Sequence, residues 1–453
     1  MDHSSRLGTE PIGRLLVRMS APAMVGMVVQ ALYNLTDTVF VGRGVGSLAI
    51  AGIAISFPVQ ILVMAVAQTF GIGAASIVSR SLGADDPERA RKALGNLFSI
   101  VALSSGLIAV LGSLYLDPLL RLFGATDTIL PYGQDYLRVI LFGTPFFLFA
   151  MATNAVVRAE GNARVAMGTM LISGLLNIVL DPLFIYGLHL GVGGAALATV
   201  LAQATTVVYL LYYFARRSTL RIAASDLRLV GSIVWESFTV GIGSGLRAAA
   251  GSFTTIILNN TLAIYGGDLA IAAFGVINRL IMFLFLPMFG IVQGMMPIVG
   301  FNYGAQQLDR ARHAVRLSSI LTTIMSLGTT AILIGFPGLL LRVFTNDQEL
   351  VSMGVPAIRV IILAFPTVGV QVIAAGMYQA LGRALPAMIL ALLRQVILLA
   401  PLILILPRFM GLSGVWTSFP IADGLAAVVT GLMLIPALRS LRNPAADGLS
   451  TEP

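Results

Sequence analysis

Apolar runs long enough to cross a lipid bilayer recur along the whole of this 453-residue chain. From Leu97 to Leu116 some twenty residues pass without a charge, and a helix of that length spans a hydrocarbon core of about 30 Å. One such run fits inside a soluble core. A dozen do not. Composition agrees: 57% of residues are hydrophobic, only 11% are charged and the mean hydropathy is +0.92, whereas a soluble domain carries roughly 25% charged residues. The expected fold is therefore an all-α integral membrane protein.

Apolar runs between charged or Gly/Pro-rich breaks predict twelve helices, near 17–41, 48–79, 93–116, 132–157, 165–187, 192–215, 233–264, 269–300, 315–341, 351–380, 384–407 and 412–437. The stretch 216–231, with Arg216, Arg217, Arg221, Asp226 and Arg228, divides them into two sets of six. The predicted organisation is an N-terminal lobe 1–215, a linker 216–231, a C-terminal lobe 232–440 and a tail 441–453. Basic residues on the side of the termini are Arg6, Arg14, Arg18, Arg80, Arg89, Arg91, Lys92, Arg158, Arg164, Arg216, Arg217, Arg221, Arg228, Arg310, Arg312, Arg316, Arg383, Arg439 and Arg442. The other side has Arg43, Arg121, Arg342 and Arg408. The positive-inside rule puts both termini in the cytoplasm.

With no cysteine, disulfides, thiolate metal sites and cysteine nucleophiles are excluded. His3, His189 and His313 have no metal-ligand spacing. The net charge of +8 lies in short loops rather than in a patch, which argues against nucleic acid. No apolar core followed by a small-residue cleavage site marks a signal peptide, so the first helix is expected to act as an uncleaved insertion signal.

The two halves repeat. SLGADDPERARKAL at 81–94 matches NYGAQQLDRARHAV at 302–315, an offset of 221, which also carries Leu120-Arg121-Leu122-Phe123 onto Leu341-Arg342-Val343-Phe344, Pro145 onto Pro366 and Gly161 onto Gly382. Repeats six helices apart, both starting on one side, are related by an axis along the membrane normal and are expected to face each other across a cleft. That is transporter geometry.

The repeat also fails in places. Asp37 lands on Leu258 and Asp181 on Leu402, so only the first half carries these acids at membrane depth. An intramembrane acid costs several kcal/mol unless paired, protonated or bound to a cation. Neither has an Arg or Lys within a turn, whereas Tyr33 stands i,i+4 from Asp37 and Asn177 stands i,i+4 from Asp181. A proton or Na⁺ is the natural partner, with Asn177, Asn154 and Thr199 as candidate oxygen donors to a hard cation. The bland alternative is that each Asp only bonds a neighbouring helix, or caps the break at Pro182. In the second half, Arg394 and Asp423 are positioned for a buried structural ion pair, while Arg247 and Arg279 either snorkel to the surface or attract anionic or zwitterionic cargo. Prolines 22, 58, 145, 287, 297, 366 and 420 lie within predicted helices and each removes a backbone hydrogen bond. The eighteen Met suit a tolerant apolar cleft.

PAMVGMVVQALYNLTDTVFVGRGVGSLAIAGI, LNIVLDPLFIYGLHLGVGGAALATVLAQ and MMPIVGFNYGAQQLDRARHAV together resemble multidrug and toxic compound extrusion (MATE) transporters over essentially the whole chain. The likeness is nearest to the prokaryotic branch whose cation site lies in the N-terminal lobe. It implies a coupling site at Asp37, Asn154, Asn177, Asp181 and Thr199, with Na⁺ possible at Asp37, Asn177, Asp181 and Thr199, and a bend point at Pro22. Gln30, Tyr33 and Tyr136 are candidate cleft residues. The branch with further acids on helices seven and ten finds no match in GIGSGLRAAAG or FPTVGVQVIAAG.

The expected function is a Na⁺- or H⁺-coupled antiporter exporting small amphipathic or cationic compounds by alternating access. It would act as a monomer in a prokaryotic inner membrane, with no cofactor beyond the coupling ion. A flippase for lipid-linked precursors, on a related two-lobed fold, is the alternative. No HExxH, GxSxG or intramembrane His pair supports an enzyme.

Overall fold

The computed structural model describes residues 4–441; His3 and, apart from Leu441, the predicted tail 441–453 with Arg442 lie outside them. The described chain is helical from end to end. The N-terminal lobe comprises α1 (Ile12–Gly44), α2 (Ser47–Gly83), α3 (Pro87–Leu114), α4 (Leu130–Ala159), α5 (Ala163–Gly187) and α6 (Gly191–Arg216). A single run then extends over Gly231–Gly304. Its 74 residues would reach about 110 Å at 1.5 Å per residue, far beyond one bilayer. The run bends at Gly267, whose φ of 65° suits a residue without a Cβ, and forms two spans, α7 (231–266) and α8 (268–304). Helices α9 (Leu308–Gly335), α10 (Gln348–Ile361 with Phe365–Ala380), α11 (Ala384–Met410) and α12 (Leu412–Ser440) complete the second lobe.

The offset of 221 reappears in the coordinates. It carries α3 onto α9 and α2 onto α8 residue for residue. It carries the left-handed residue Asp85 (φ 57°) onto Gln306 (φ 56°), and Gly161 (φ 84°) onto Gly382 (φ 74°). Symmetry breaks at one proline pair. Pro145 lies inside an unbroken α4, whereas its mate Pro366 occupies a 3-10 turn, Phe365–Thr367, where α10 bends by 48°. The expected continuous helix 351–380 is thus two pieces.

The lobes meet near the ends of the helices that lie on the side of the chain termini, the terminal face. A Cβ on Gly73 would fall 1.8 Å from the Ser237 carbonyl oxygen, and one on Gly304 2.0 Å from that of Arg80, so α2 and α8 touch backbone to backbone, as do α2 and α7. Across the same seam Arg80 and Arg89 each reach Glu236 at 2.7 Å, and the Ser76 hydroxyl donates to the Gln379 carbonyl at 2.5 Å. The cleft is sealed on this face.

Helix α1 belongs to both lobes. Its first turns pack Leu15, Leu16 and Met19 with Ile291, Met295 and Ile298 of α8. Its last turns pack Val41 with Tyr136, Ile185 and Val192. Pro22 lies between the two halves. The linker is anchored as well as polar: Asn96 donates to the Arg228 carbonyl at 3.0 Å and accepts from the Val230 N–H at 2.6 Å.

Candidate functional site

Close packing of α1 on α5 assembles the acids. A Cβ on Gly26 would strike Met170 Sδ at 2.4 Å, and one on Gly44 would strike Ile185 at 2.5 Å, so the two helices stay in contact over most of α1. At the far end, the Tyr186 hydroxyl donates to the Phe40 carbonyl at 3.0 Å. Asp37 stands seven residues before the end of α1. Asp181 closes the regular part of α5, followed by Pro182 and a π-helical turn, Leu183–Gly187. Proline cannot donate, and π turns are frequent at functional sites.

There the two carboxyl groups come within hydrogen-bonding reach of each other. Asp181 is 1% exposed and Asn177 1% exposed. One oxygen of each acid, Oδ1 in both, is buried without a hydrogen-bond partner, and among the described residues neither acid has an ion pair with Arg, Lys or His. Two ionised carboxylates this close repel strongly in a medium that screens poorly, a repulsion that a proton or a cation would relieve.

The Asn177 amide has two orientations with different consequences. In one, Nδ2 donates to Asp181 Oδ2 at 2.9 Å and the amide oxygen faces the Thr199 hydroxyl at 3.0 Å. In the other, Nδ2 donates to Thr199 Oγ1 at 3.0 Å and the amide oxygen faces the carboxyl group, an oxygen pair compatible with a proton on Asp181 or with a cation between its members. Tyr33 and Tyr136 line this cluster within electrostatic range of Asp37. The Gln60 side chain lies beside the Tyr136 hydroxyl.

The structure thus brings Asp37, Asn177, Asp181 and Thr199 together, and it leaves Asn154 elsewhere. Asn154 shares α4 with Tyr136 but lies 18 positions further on, about 27 Å along the axis. Its amide donates to the Ala166 carbonyl at 2.9 Å and Thr169 Oγ1 at 2.6 Å, and its oxygen accepts from Arg158. The expectation that Asn154 helps hold the cation is corrected: it binds Arg158 near the terminal face. Gln60 escaped sequence reasoning although the repeat flags it, since the offset of 221 turns it into Ile281.

Between the lobes lies a cavity of about 770 Å³. Its wall includes Gln30, Tyr33, Met64, Met151, Phe285, Phe289 and Met296, together with Asn154, Arg158, Arg247 and Arg394. Tyr136, Asp37 and Asp181 do not line it, so of the three expected cleft residues only Gln30 and Tyr33 do. The Arg247 guanidinium lies 5.5 Å from the Phe289 ring centre. Arg394 is paired with Asp423, which is 2% exposed, the second contact spanning 3.4 Å. Arg279 is exposed and takes no part.

Comparison with known proteins places the chain among efflux transporters. The MatE family profile matches residues 22–183 and 244–405, one segment in each lobe. The multidrug export protein MepA of Staphylococcus aureus (strain MSSA476) is 30% identical over 436 residues, covering 94% of each chain. MepA of Staphylococcus haemolyticus is 28% identical over 432 residues, 95% of this chain and 94% of its own. Among solved structures, the MATE multidrug transporter DinF-BH in complex with R6G superposes with a TM-score of 0.89 at 45% identity, over 96% of this chain and 98% of that one. An outward-facing multidrug resistance MATE transporter of the MOP superfamily gives a TM-score of 0.91 at 28% identity with the same coverage.

Proposed function

The chain belongs to the multidrug and toxic compound extrusion family, multi-pass membrane transporters rather than enzymes, and on that premise we propose that it exports amphipathic compounds by antiport against H⁺ or Na⁺. The observation that carries the coupling half of the proposal is the Asp37–Asp181 pair, which has buried, unpartnered oxygens and no basic neighbour. Two residues that need a positive charge, in a pocket with no fixed one within reach, bind a mobile one.

The excess of basic residues on the terminal face makes that face cytoplasmic, in a prokaryotic inner membrane, so the sealed seam there corresponds to an outward-facing state. An ion entering from outside occupies the acids. While Asp181 is ionised, the Asn177 amide nitrogen can donate to it; a proton on Asp181 donates to the amide oxygen instead, and Na⁺ takes that oxygen as a ligand, with Thr199 adding a hydroxyl to the shell. Neutralising the acids removes the cost of closing apolar helices over them, and α1 rearranges about Pro22, where it passes from the C-lobe core to the N-lobe core. That shift narrows the cavity and cargo leaves outward. The lobes then rock, the ion escapes inward, and cargo reloads. One charge moving down 100 mV supplies about 2.3 kcal/mol, enough to hold a neutral cargo at roughly a 50-fold gradient.

The test is efflux of a fluorescent amphiphile from proteoliposomes carrying Asp37→Asn or Asp181→Asn, with a pH or Na⁺ gradient imposed separately. Loss of gradient-driven efflux, with dye binding retained, is expected for both. Gradient-driven transport at the wild-type rate in either variant would remove the coupling.

A further inference from the structure

We propose that the central cavity recognises cargo through an anionic group, a carboxylate, sulfonate or phosphate, which docks on Arg247 beside Arg394 while the apolar body lies on the Phe and Met wall. Here the cavity is taken as the cargo path, as proposed above.

Among the described residues, the cavity wall contains three arginines, Arg158, Arg247 and Arg394, and no Asp or Glu. The three are not equivalent. Arg394 has its counter-charge behind it in Asp423. Arg158 is held by the Asn154 amide at the terminal end of α4. Arg247 has no carboxylate partner among the described residues; its guanidinium rests on the face of Phe289. It stands 16 residues into a helix that begins at Gly231, about 24 Å along the axis, near the middle of α7 and too deep to reach either surface. A half-buried guanidinium facing the cavity, with only an aromatic face beneath it, keeps unused donors.

Arg394 is close by in depth. Gly243 of α7 abuts Met388 of α11, and the Thr254 hydroxyl meets the Gln395 carbonyl at 3.4 Å; both arginines fall between these two contacts. Arg394 also lies in the π-helical stretch Leu393–Leu399, where the extra residue re-aims side chains relative to an α-helix. The neutral polar groups of the wall, Gln30, Gln68, Gln293, Gln371 and Gln395, bring amide donors but no charge. The only charged side chains a cation meets on this wall are positive. An anion finds an unpaired planar donor, suited to two-point contact with an oxyanion.

The experiment uses the full chain in phosphatidylcholine nanodiscs. Equilibrium binding is measured by fluorescence anisotropy for a xanthene dye with a free carboxylate and for the same dye as its ethyl ester. The carboxylate form is expected to bind tighter by about tenfold or more. Arg247→Gln should abolish that preference, with an unchanged melting temperature certifying the fold; Arg247→Lys should keep part of it. Equal or tighter ester binding in the wild type overturns the proposal, as does a preference that survives Arg247→Gln. If phosphatidylglycerol in the disc erases the preference, the anion held is a lipid headgroup and the cargo assignment is overturned. These ratios need no ion gradient, so a failure of ion coupling would appear in efflux and leave them unchanged.

Discussion

The two lobes are one backbone with opposite chemistry. At the end of the N-terminal lobe away from the terminal face, Asp37, Asp181, Asn177, Thr199 and Tyr136 form a polar cluster. The offset of 221 converts Asp37 to Leu258, Asp181 to Leu402 and Tyr136 to Ala357, and these residues pack together in the dry core of the other lobe with Phe365 and Trp416. The C-terminal lobe instead spends its polarity at mid-depth, on Arg247, Arg394 and Asp423. Two acids without bases stand in one lobe, and two bases with one acid in the other. A duplicated six-helix unit can thus keep its packing while its halves differ in chemistry; in the mechanism proposed above, the first half serves the ion and the second adds charge to the cargo path. A frame specified by small residues and apolar faces tolerates polar replacements at a few positions.

If the division holds, its structural half breaks first at Asp423. Asp423→Ala leaves Arg394, half-buried in the cavity wall, without its counter-charge, a loss expected at about 3 kcal/mol, visible as a fall in thermal stability of the purified protein. Arg394→Met combined with Asp423→Leu should recover most of it, because the apolar pair removes both charges. Failure of the double variant to recover would mean that the pair has a role beyond its own neutralisation.

Next in size is transplantation of the acid. Leu258→Asp installs in the C-terminal lobe what Asp37 is in the N-terminal lobe, but among Leu262, Phe365 and Trp416 rather than beside Asn177 and Thr199. It should cost about 3 kcal/mol and create no second ion site. The reverse change, Asp181→Leu, should leave the melting temperature equal or higher while gradient-driven efflux disappears. A destabilised Asp181→Leu protein would return the acids to a structural role.

How much of this was legible in the sequence follows from which interactions are local. The twelve spans, and the offset that pairs them, were legible because a bilayer demands continuous apolar length and because turn signals such as Gly161 and Gly382 recur. The Asp37–Asp181 pair was legible as a local exception to the repeat. Gln60 is the same kind of exception, since the offset turns it into Ile281. Asn154 was a candidate by residue type and by resemblance alike, although counting positions from Tyr136 places it about 27 Å away along one helix. The bend at Phe365–Thr367 had a proline to announce it, yet Pro145 carries the same signal in a straight helix; packing decides which proline breaks. The π turns at 183–187 and 393–399 have no comparable signature. Contacts between lobes had none at all, since Glu236 meets Arg80 and Arg89 only after the chain has crossed the membrane several times.

That last contact carries the smallest expected effect and sharpens the comparison most. Glu236 leads α7 of the C-terminal lobe, and both of its partners come from the N-terminal lobe, so the pair of bridges joins the two kinds of chemistry without belonging to either. Arg80 is only 20% exposed and Arg89 is 50% exposed; bridges at this level of solvent access contribute on the order of 0–1 kcal/mol each. Glu236→Gln should therefore leave global stability within about 1 kcal/mol. Because the bridges exist only while the terminal face is closed, the whole of that small loss falls on one conformation. A cost of about 1 kcal/mol shifts the ratio of closed to open states about fivefold. Labelling of a cysteine placed at Ser76, under the seam, by a reagent added from the terminal side reads that ratio directly; faster labelling in Glu236→Gln is expected. Unchanged labelling would mean that the backbone contacts at Gly73 and Gly304 hold the seam alone.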